Sequence, residues 1–374
     1  MRKKVILHLQ SGDGDEGGIA NYISLLINSK EMKKYSHIVV VKKIYKKLYF
    51  KFPLSKLMEF DCNYSVTNFL NRVFKLRNIC SSHIHPLIHS HALRAGLICS
   101  FLKLFFNIDF IHTNHGLRYK QKKFYKAFLY FLIEIFVLIC SKNYVCIRNT
   151  DFIYLRSFIK INFLLKKIKV IRLNLDIDYN SFASKNLKKY RHPFLIIGIG
   201  SLIEIKRPNL FIEWVKFLKK NNIPVKAIWF GKGHLKNEMI KITKENSLDI
   251  VWFGQTDQKT IYNNLHQASF LMQTSRFEVY PTVILESFCF GTPVISSKYW
   301  GVDEIIKDES NGIILKDDFF SSRLESQKLI KLFSDEEKYC ELSNNCRKQF
   351  EEQHKTFQST ALKYLSLYEK VLLQ

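Results

Sequence analysis

No two of the eight cysteines (Cys62, Cys80, Cys99, Cys140, Cys146, Cys289, Cys340 and Cys346) stand at CxxC spacing, and most lie in apolar runs. A disulfide framework or cysteine zinc site is therefore excluded, leaving small core residues in a reducing compartment. Long apolar runs are missing too. The longest, residues 127–140, is too short to span a bilayer and contains Glu134, so it reads as a core helix. No secretory signal opens the chain, because the basic start MRKKVILHLQ runs straight into a strand pattern. A cytoplasmic location is expected. No internal repeat stands out, and no RRM or C2H2 pattern supports nucleic-acid binding. Asp-x-Asp occurs at Asp13 to Asp15 in the glycine-rich stretch after the first strand and at Asp176 to Asp178 near a linker; with cationic side chains available for the same work, no divalent metal is expected.

Acidic residues are scarce in one half only. Residues 1–188 hold 32 Lys and Arg against 11 Asp and Glu, whereas residues 189–374 hold 26 against 22. A basic field of this kind suits nucleic acid, an anionic membrane or a phosphorylated substrate, or reflects a lysine-rich composition alone. Basic and aromatic residues interleave in KKIYKKLYFKF (42–52) and LRYKQKKFYKAFLYF (117–131). They favour peripheral attachment to the inner face of the cell membrane.

With 374 residues, 47% of them hydrophobic and 24% charged, the chain has the length for two folded domains. Strand patterns KVILHL, HIVVV, LIHSH, DFIHTNH and NYVCI alternate with helical ones in the first half. A second series, FLIIGIGS, VKAIWFG, DIVWFG, ASFLMQT and PVISS, begins near residue 194. Such alternation indicates parallel sheets covered on both faces, hence two doubly wound α/β domains. The expected boundaries are residues 1–184, a linker at 185–193, a second domain at 194–355 and a final helix at 356–374. Ligands of such sheets bind beyond the carboxyl ends of the strands.

The loops at those ends carry the candidate chemistry. GDGDEGGIANY places Gly12, Gly14, Gly17 and Gly18 ahead of a helix, where backbone N–H groups can approach a phosphate or sugar. GIGSLIEIKRPN sets Lys206 and Arg207 between a strand and a helix, as a diphosphate clamp requires. FGKGH (230–234) and WFGQTD (252–257) are further glycine loops of the same plan. In FEVYPTVILESFCFGTPVIS, Glu278 precedes a helix opened by Pro281 and stopped about three turns later by Gly291 and Pro293. Glu286 falls within that helix with Thr282, Val283, Cys289 and Phe290 as neighbours, a costly setting unless donors meet its carboxylate. One acid near a helix N-terminus and one inside the helix suggest a ligand with both phosphate and hydroxyls.

Six of the twelve histidines lie between His83 and His115. A His-x-His pair can bind metal, but no further ligand set accompanies it. His83 and His85 read as structural, and His115, before Gly116 at a strand end, is the functional candidate.

In this order and spacing, these motifs resemble the retaining GT-B glycosyltransferases of glycosyltransferase family 4. The likeness covers nearly the whole chain and is densest over residues 194–315. Its main signature is the E-x7-E element, Glu278 to Glu286, followed by SFCFGTPVISS; GSLIEIKRP, FGKG, FGQTD, EGGIANY and YLSLYEKVL add to it. The resemblance implies two Rossmann-like domains facing each other across a cleft, with the last helix crossing back to the first. It implies transfer of a sugar from a nucleotide-diphosphate sugar to a glycan, carried on a lipid, in surface-polysaccharide synthesis without a metal. By the same resemblance Lys206 would neutralise the leaving diphosphate, Glu278 would contact the donor sugar, and Glu286 the ribose hydroxyls. His115 would lie near sugar and phosphate, and Gly17 and Gly18 would line the cleft. Arg207, Ser201, Gly231, Gly233, Phe253, Gly254, Tyr280, Thr282 and Val283 would complete the donor site. Ser201 replaces an arginine common in the family, Val279 replaces a glycine, and RLNLDID (172–178) replaces the usual linker motif. A sugar-nucleotide epimerase of the same fold and a basic nucleic-acid-binding protein are the alternatives.

Overall fold

The computed structural model describes residues 3–10, 16–42, 55–60, 66–82, 86–117, 124–175, 177, 190–316, 322–353 and 356–373. They form two compact units, residues 1–174 with 357–374, and residues 175–356. The expected linker (185–193) lies mostly outside the described residues, as do His83, His85, Gly12 and Gly14.

The first unit contains strands β1 (Val5–Gln10), β2 (Ser36–Lys42), β3 (Ser55–Phe60), β4 (Leu87–His91), β5 (Phe110–Asn114), β6 (Asn143–Cys146) and β7 (Ile168–Val170). Its helices are α1 (Glu16–Asn28), α2 (Val66–Ser81), α3 (Leu93–Phe106), α4 (Phe124–Cys140), α5 (Asn149–Phe158) and α6 (Asn162–Lys167). The strands run parallel in the order β3-β2-β1-β4-β5-β6-β7. Strand alternation divides the core. Leu7, Leu9, Ile38, Val40 and Ile88 pack on one face, whereas Val39 and Val41 meet Ile19, Ile23 and Ile27 of α1 on the other.

The second unit contains β8 (Phe194–Ile199), α7 (Pro208–Lys220), β9 (Val225–Phe230), α8 (Lys236–Glu245), β10 (Ile250–Gly254) and α9 (Gln258–Gln267). It continues with β11 (Phe270–Gln273), α10 (Thr282–Cys289), β12 (Val294–Ser297), β13 (Gly312–Leu315), α11 (Arg323–Leu332) and α12 (Glu336–Gln353). Its parallel sheet has the order β10-β9-β8-β11-β12-β13. Both units thus reverse direction between their first and fourth strands, the place where such sheets bind ligands. Helix α7 shows how the sequence fixes an element here: Pro208 supplies the first turn, and Phe211, Ile212, Trp214, Val215 and Leu218 are buried on one face.

The last helix, α13 (Gln358–Leu372), packs on the first unit. The Tyr22 hydroxyl donates to Tyr364 Oη at 2.6 Å, Tyr364 Oη lies 2.9 Å from Thr113 Oγ1, and Tyr368 Oη lies 2.6 Å from His89 Nδ1.

Two expectations need correcting. The apolar run 127–140 is a core helix on one side only: Val137 and Leu138 join the core and Glu134 is buried, but Phe128, Leu129, Leu132 and Ile139 are exposed, as are Phe124 and Tyr125 ahead of the run. Helix α10 has eight residues, about two turns, and starts after Pro281 as N-cap. Gly291 ends it in the left-handed region at φ +64°, with Thr292 N donating to Ser287 O at 2.9 Å.

Candidate active site

At the switch point of the second sheet, the end of β8 and the end of β11 deliver opposite charges to one spot. Lys206 closes a short 3-10 turn (Glu204–Lys206), and Glu278 lies in the loop between β11 and α10. Lys206 Nζ donates to Glu278 Oε1 at 2.6 Å, and each residue is only 9% exposed. The same oxygen accepts from Gln273 Nε2 at 2.7 Å and Ser275 Oγ at 2.6 Å. Removing both charges from water costs several kcal/mol per ion, on the order of magnitude these donors and the pairing offset.

The two loops are stitched together by one backbone bond and two side-chain bonds to backbone. Thr274 Oγ1 donates to Lys206 O at 2.8 Å, Arg276 N donates to Ile205 O at 2.8 Å, and Arg207 Nε donates to Thr274 O at 2.7 Å. Arg207 adopts a left-handed conformation at φ +48°, which a non-glycine residue holds only when its surroundings fix it. At least one of its guanidinium N–H groups therefore braces the loop that carries Glu278.

The glycines of FGKG have a structural cause. A Cβ at Gly231 would stand 2.0 Å from Gly200 O, and one at Gly233 would stand 2.1 Å from Leu202 O. The 231–233 turn thus lies directly on the 200–202 turn, which includes Ser201, and Leu202 N donates to Lys232 O at 2.9 Å. Gly231 N donates in turn to Gly254 O at 2.8 Å, and Gly254 sits at φ +95°. Beside it Phe253 is half exposed, its ring 5.1 Å from that of Phe230.

Glu286 lies in α10, eight residues on from Glu278. Burial pushes its carboxyl up to about 7, a shift opposed by a hydrogen bond from Thr282. Its charge also helps burial raise the Tyr262 hydroxyl. Tyr280, Thr282, Val283 and Glu286 are all half-buried, around the start and first turns of this helix.

In the first unit, Gly17 and Gly18 fall in the first turn of α1 rather than in a loop. A Cβ at Gly18 would meet nothing within 4 Å, so packing within the unit does not require glycine there. His115 follows β5, is 6% exposed, and lies 3.1 Å from His91 through Nε2 and Nδ1 respectively. Among the described residues, His8, His89 and His91 are the one trio that could hold a metal ion, with ring nitrogens within 4.8 Å of one another.

Gln273 and Ser275 were not legible as site residues. Their signal was weak: a polar residue at the end of the apolar strand FLMQ and a serine two positions beyond it.

Residues 180–349 match the family model for glycosyl transferases group 1. The UDP-Gal:alpha-D-GlcNAc-diphosphoundecaprenol alpha-1,3-galactosyltransferase of Escherichia coli is 22% identical over 304 residues, 76% of each chain. A Campylobacter jejuni alpha-1,4-N-acetyl-D-galactosaminyltransferase, named for a GalNAc-containing PP-undecaprenol substrate, is 26% identical over 305 residues, 79% of each chain. Among solved structures, sucrose-phosphate synthase of Thermosynechococcus elongatus superposes with a TM-score of 0.75 at 15% identity, covering 99% of this chain and 100% of that one. HepE of Anabaena in complex with UDP gives 0.74 at 13% identity, covering 98% and 100%. The fold is GT-B, and the likeness to glycosyl transferases group 1 coincides with the unit that holds Lys206 and Glu278.

Proposed function

We infer that the protein is a retaining glycosyltransferase of family 4, transferring a sugar from a nucleotide-diphosphate sugar to a lipid-linked glycan during surface-polysaccharide synthesis. One observation carries this reading: a nearly buried lysine held by a carboxylate at the sheet's switch point, in loops braced against each other. A fixed cation there is placed to stabilise charge that grows on a departing diphosphate. In the reaction, the bond from the sugar's anomeric carbon to the diphosphate oxygen breaks. The acceptor oxygen bonds to the same carbon on the same face, and its proton passes to the departing phosphate oxygen. Lys206 balances the negative charge without a divalent metal. Glu278, fixed by Gln273 and Ser275, orients the sugar, and Glu286 accepts from ribose hydroxyls, which add to the hydrogen bond from Thr282. Arg207, Ser201, Gly231, Gly233, Phe253, Gly254, Tyr280, Thr282 and Val283 shape the donor site.

The acceptor's lipid calls for a membrane surface. No described helix is long and apolar enough to cross a membrane. Exposed Phe124, Tyr125, Phe128 and Leu129 on α4 support peripheral binding at the cytoplasmic face through the first unit, beside Lys126. The stretch 42–52 lies almost wholly outside the described residues.

The test is incubation of the purified protein with UDP- and GDP-sugars and polyprenyl-diphosphate glycans, reading product mass and anomeric configuration. A product that keeps the donor's configuration is expected. Conversion of the nucleotide sugar to its epimer without an acceptor would replace this reading with an epimerase.

A further inference from the structure

Four histidines, three on adjacent strands and one just past a fourth, form one unbroken chain across the first sheet. His37 on β2 places Nε2 3.1 Å from the backbone oxygen of Met32 and Nδ1 3.2 Å from His8 Nε2. His8 on β1 places Nδ1 3.3 Å from His91 Nε2, and His91 on β4 places Nδ1 3.1 Å from Nε2 of His115, beyond β5. Each is at most 6% exposed. Burial lowers the proton affinity of His8, His37 and His91, with neighbouring rings adding to the effect at His8 and His91.

Neutral rings give this chain a single polarity. A carbonyl oxygen only accepts, so His37 carries its proton on Nε2 and offers a bare Nδ1. His8 must then donate from Nε2, which leaves its Nδ1 to accept from His91 Nε2–H. His91 in turn accepts at Nδ1 from His115 Nε2–H. We propose that His37, His8 and His91 are positioning residues that fix His115 as the Nε2–H tautomer, so that its Nδ1 is an acceptor toward a sugar hydroxyl. The last clause rests on the transferase reading; the tautomer does not.

Two further contacts hold the end of the relay. Tyr22 and His115 pack edge to face with ring centroids 5.2 Å apart and planes at 88°, and Tyr22 is itself tied to Tyr364. His89 lies outside the chain, its nitrogens occupied by Tyr368 and Thr113 at 2.6 and 2.7 Å. A metal at His8, His89 and His91 would have to displace hydrogen bonds made by all three rings, whereas the relay leaves the bonds of His89 in place.

The experiment reads histidine tautomers by two-bond 15N–1H correlation in the full-length protein with 15N-labelled histidine. Neutral Nε2–H rings are expected at His37, His8, His91 and His115. In His91→Gln the amide N–H₂ can replace the donor toward His8 and the amide oxygen the acceptor toward His115, so the tautomer of His115 should persist. His91→Leu removes both and should leave His115 a mixture, with sugar transfer reduced about tenfold, on the scale of one lost hydrogen bond. An Nδ1–H or charged His115 in the wild type overturns the proposal. So does one equivalent of zinc held by the purified protein and lost in His8→Gln. Should the Leu variant not fold, the wild type and His91→Gln still decide. An Nε2–H His115 in a protein that transfers no sugar faults the transferase reading alone.

Discussion

Lys206 and Glu278 meet at 2.6 Å although 72 residues separate them, and the bond closes the switch point of the second sheet. Neither side chain would be stable there alone. Lysine without the carboxylate, or the carboxylate without the lysine, leaves a charge poorly hydrated among apolar strands.

Replacing Lys206 with alanine should lower turnover by two to three orders of magnitude, about 3–4 kcal/mol, because the charge on the leaving diphosphate grows in the transition state. Steady-state rates on purified variants check this, with circular dichroism confirming the fold. Wild-type turnover would remove Lys206 from the reaction.

Catalysis should survive EDTA. Magnesium or manganese restoring an EDTA-abolished rate would show that a metal does the work assigned here to Lys206.

Glu286 links pH to stability and binding. Its carboxyl rises from an ordinary 4.5 to about 7 in the fold, so folding takes up a proton between these values. Its contribution is therefore lost as pH rises from 4.5 through 7. Glu286→Gln should stabilise the fold over wild type more at pH 8 than at pH 5, by a difference on the order of 1–3 kcal/mol read as a larger Tm gain at pH 8. Glu134, also raised to about 7, is common to both proteins and cancels. Nucleotide affinity should strengthen from pH 6 to 8 in the wild type and become weaker and flat in the variant. Equal Tm differences at both pH values would contradict the assignment.

Glycines of the two units should behave oppositely. Gly233→Ala drives a Cβ onto Leu202 O and should destabilise the second unit by about 2 kcal/mol or more. Gly18→Ala meets open space in a helix and should leave stability equal or raise it by up to about 1 kcal/mol, with Tm unchanged or slightly higher. A loss of transfer in Gly18→Ala at unchanged Tm would then report a ligand pressed against that backbone.

Vesicle co-sedimentation tests the exposed face of α4. Binding to anionic vesicles at low salt should weaken in a Phe124→Ser, Phe128→Ser double variant. Equal recovery with neutral and anionic vesicles would sink membrane docking while leaving the chemistry untouched.

Much of this was legible because buried parallel strands announce themselves as apolar runs. FLIIGI and VKAIWF appear as β8 and β9 with hardly a shift, and PNLFIEWVKFLKK is α7 residue for residue. Strands β3, β7 and β13 escaped. SKLMEF mixes charge with apolar residues at a sheet edge, while IKV and GIIL are too short to carry a period. Lys206 and Glu278 were visible singly, but their contact depends on β8 lying beside β11, which no local pattern states. The histidine chain was hidden for the same reason: His8, His37, His91 and His115 converge only through strand order.

The attachment of α13 reverses an ordinary order of assembly. The chain leaves the first unit at residue 174 and returns at 357. During synthesis, Tyr22, His89 and Thr113 emerge early, yet Tyr364 and Tyr368 arrive only after the whole second unit has been made. The part translated first is thus the last to be completed. A ribosome stalled before residue 357 would hold a second unit with all its own strands, beside a first unit whose buried hydroxyl and imidazole groups still await their partners.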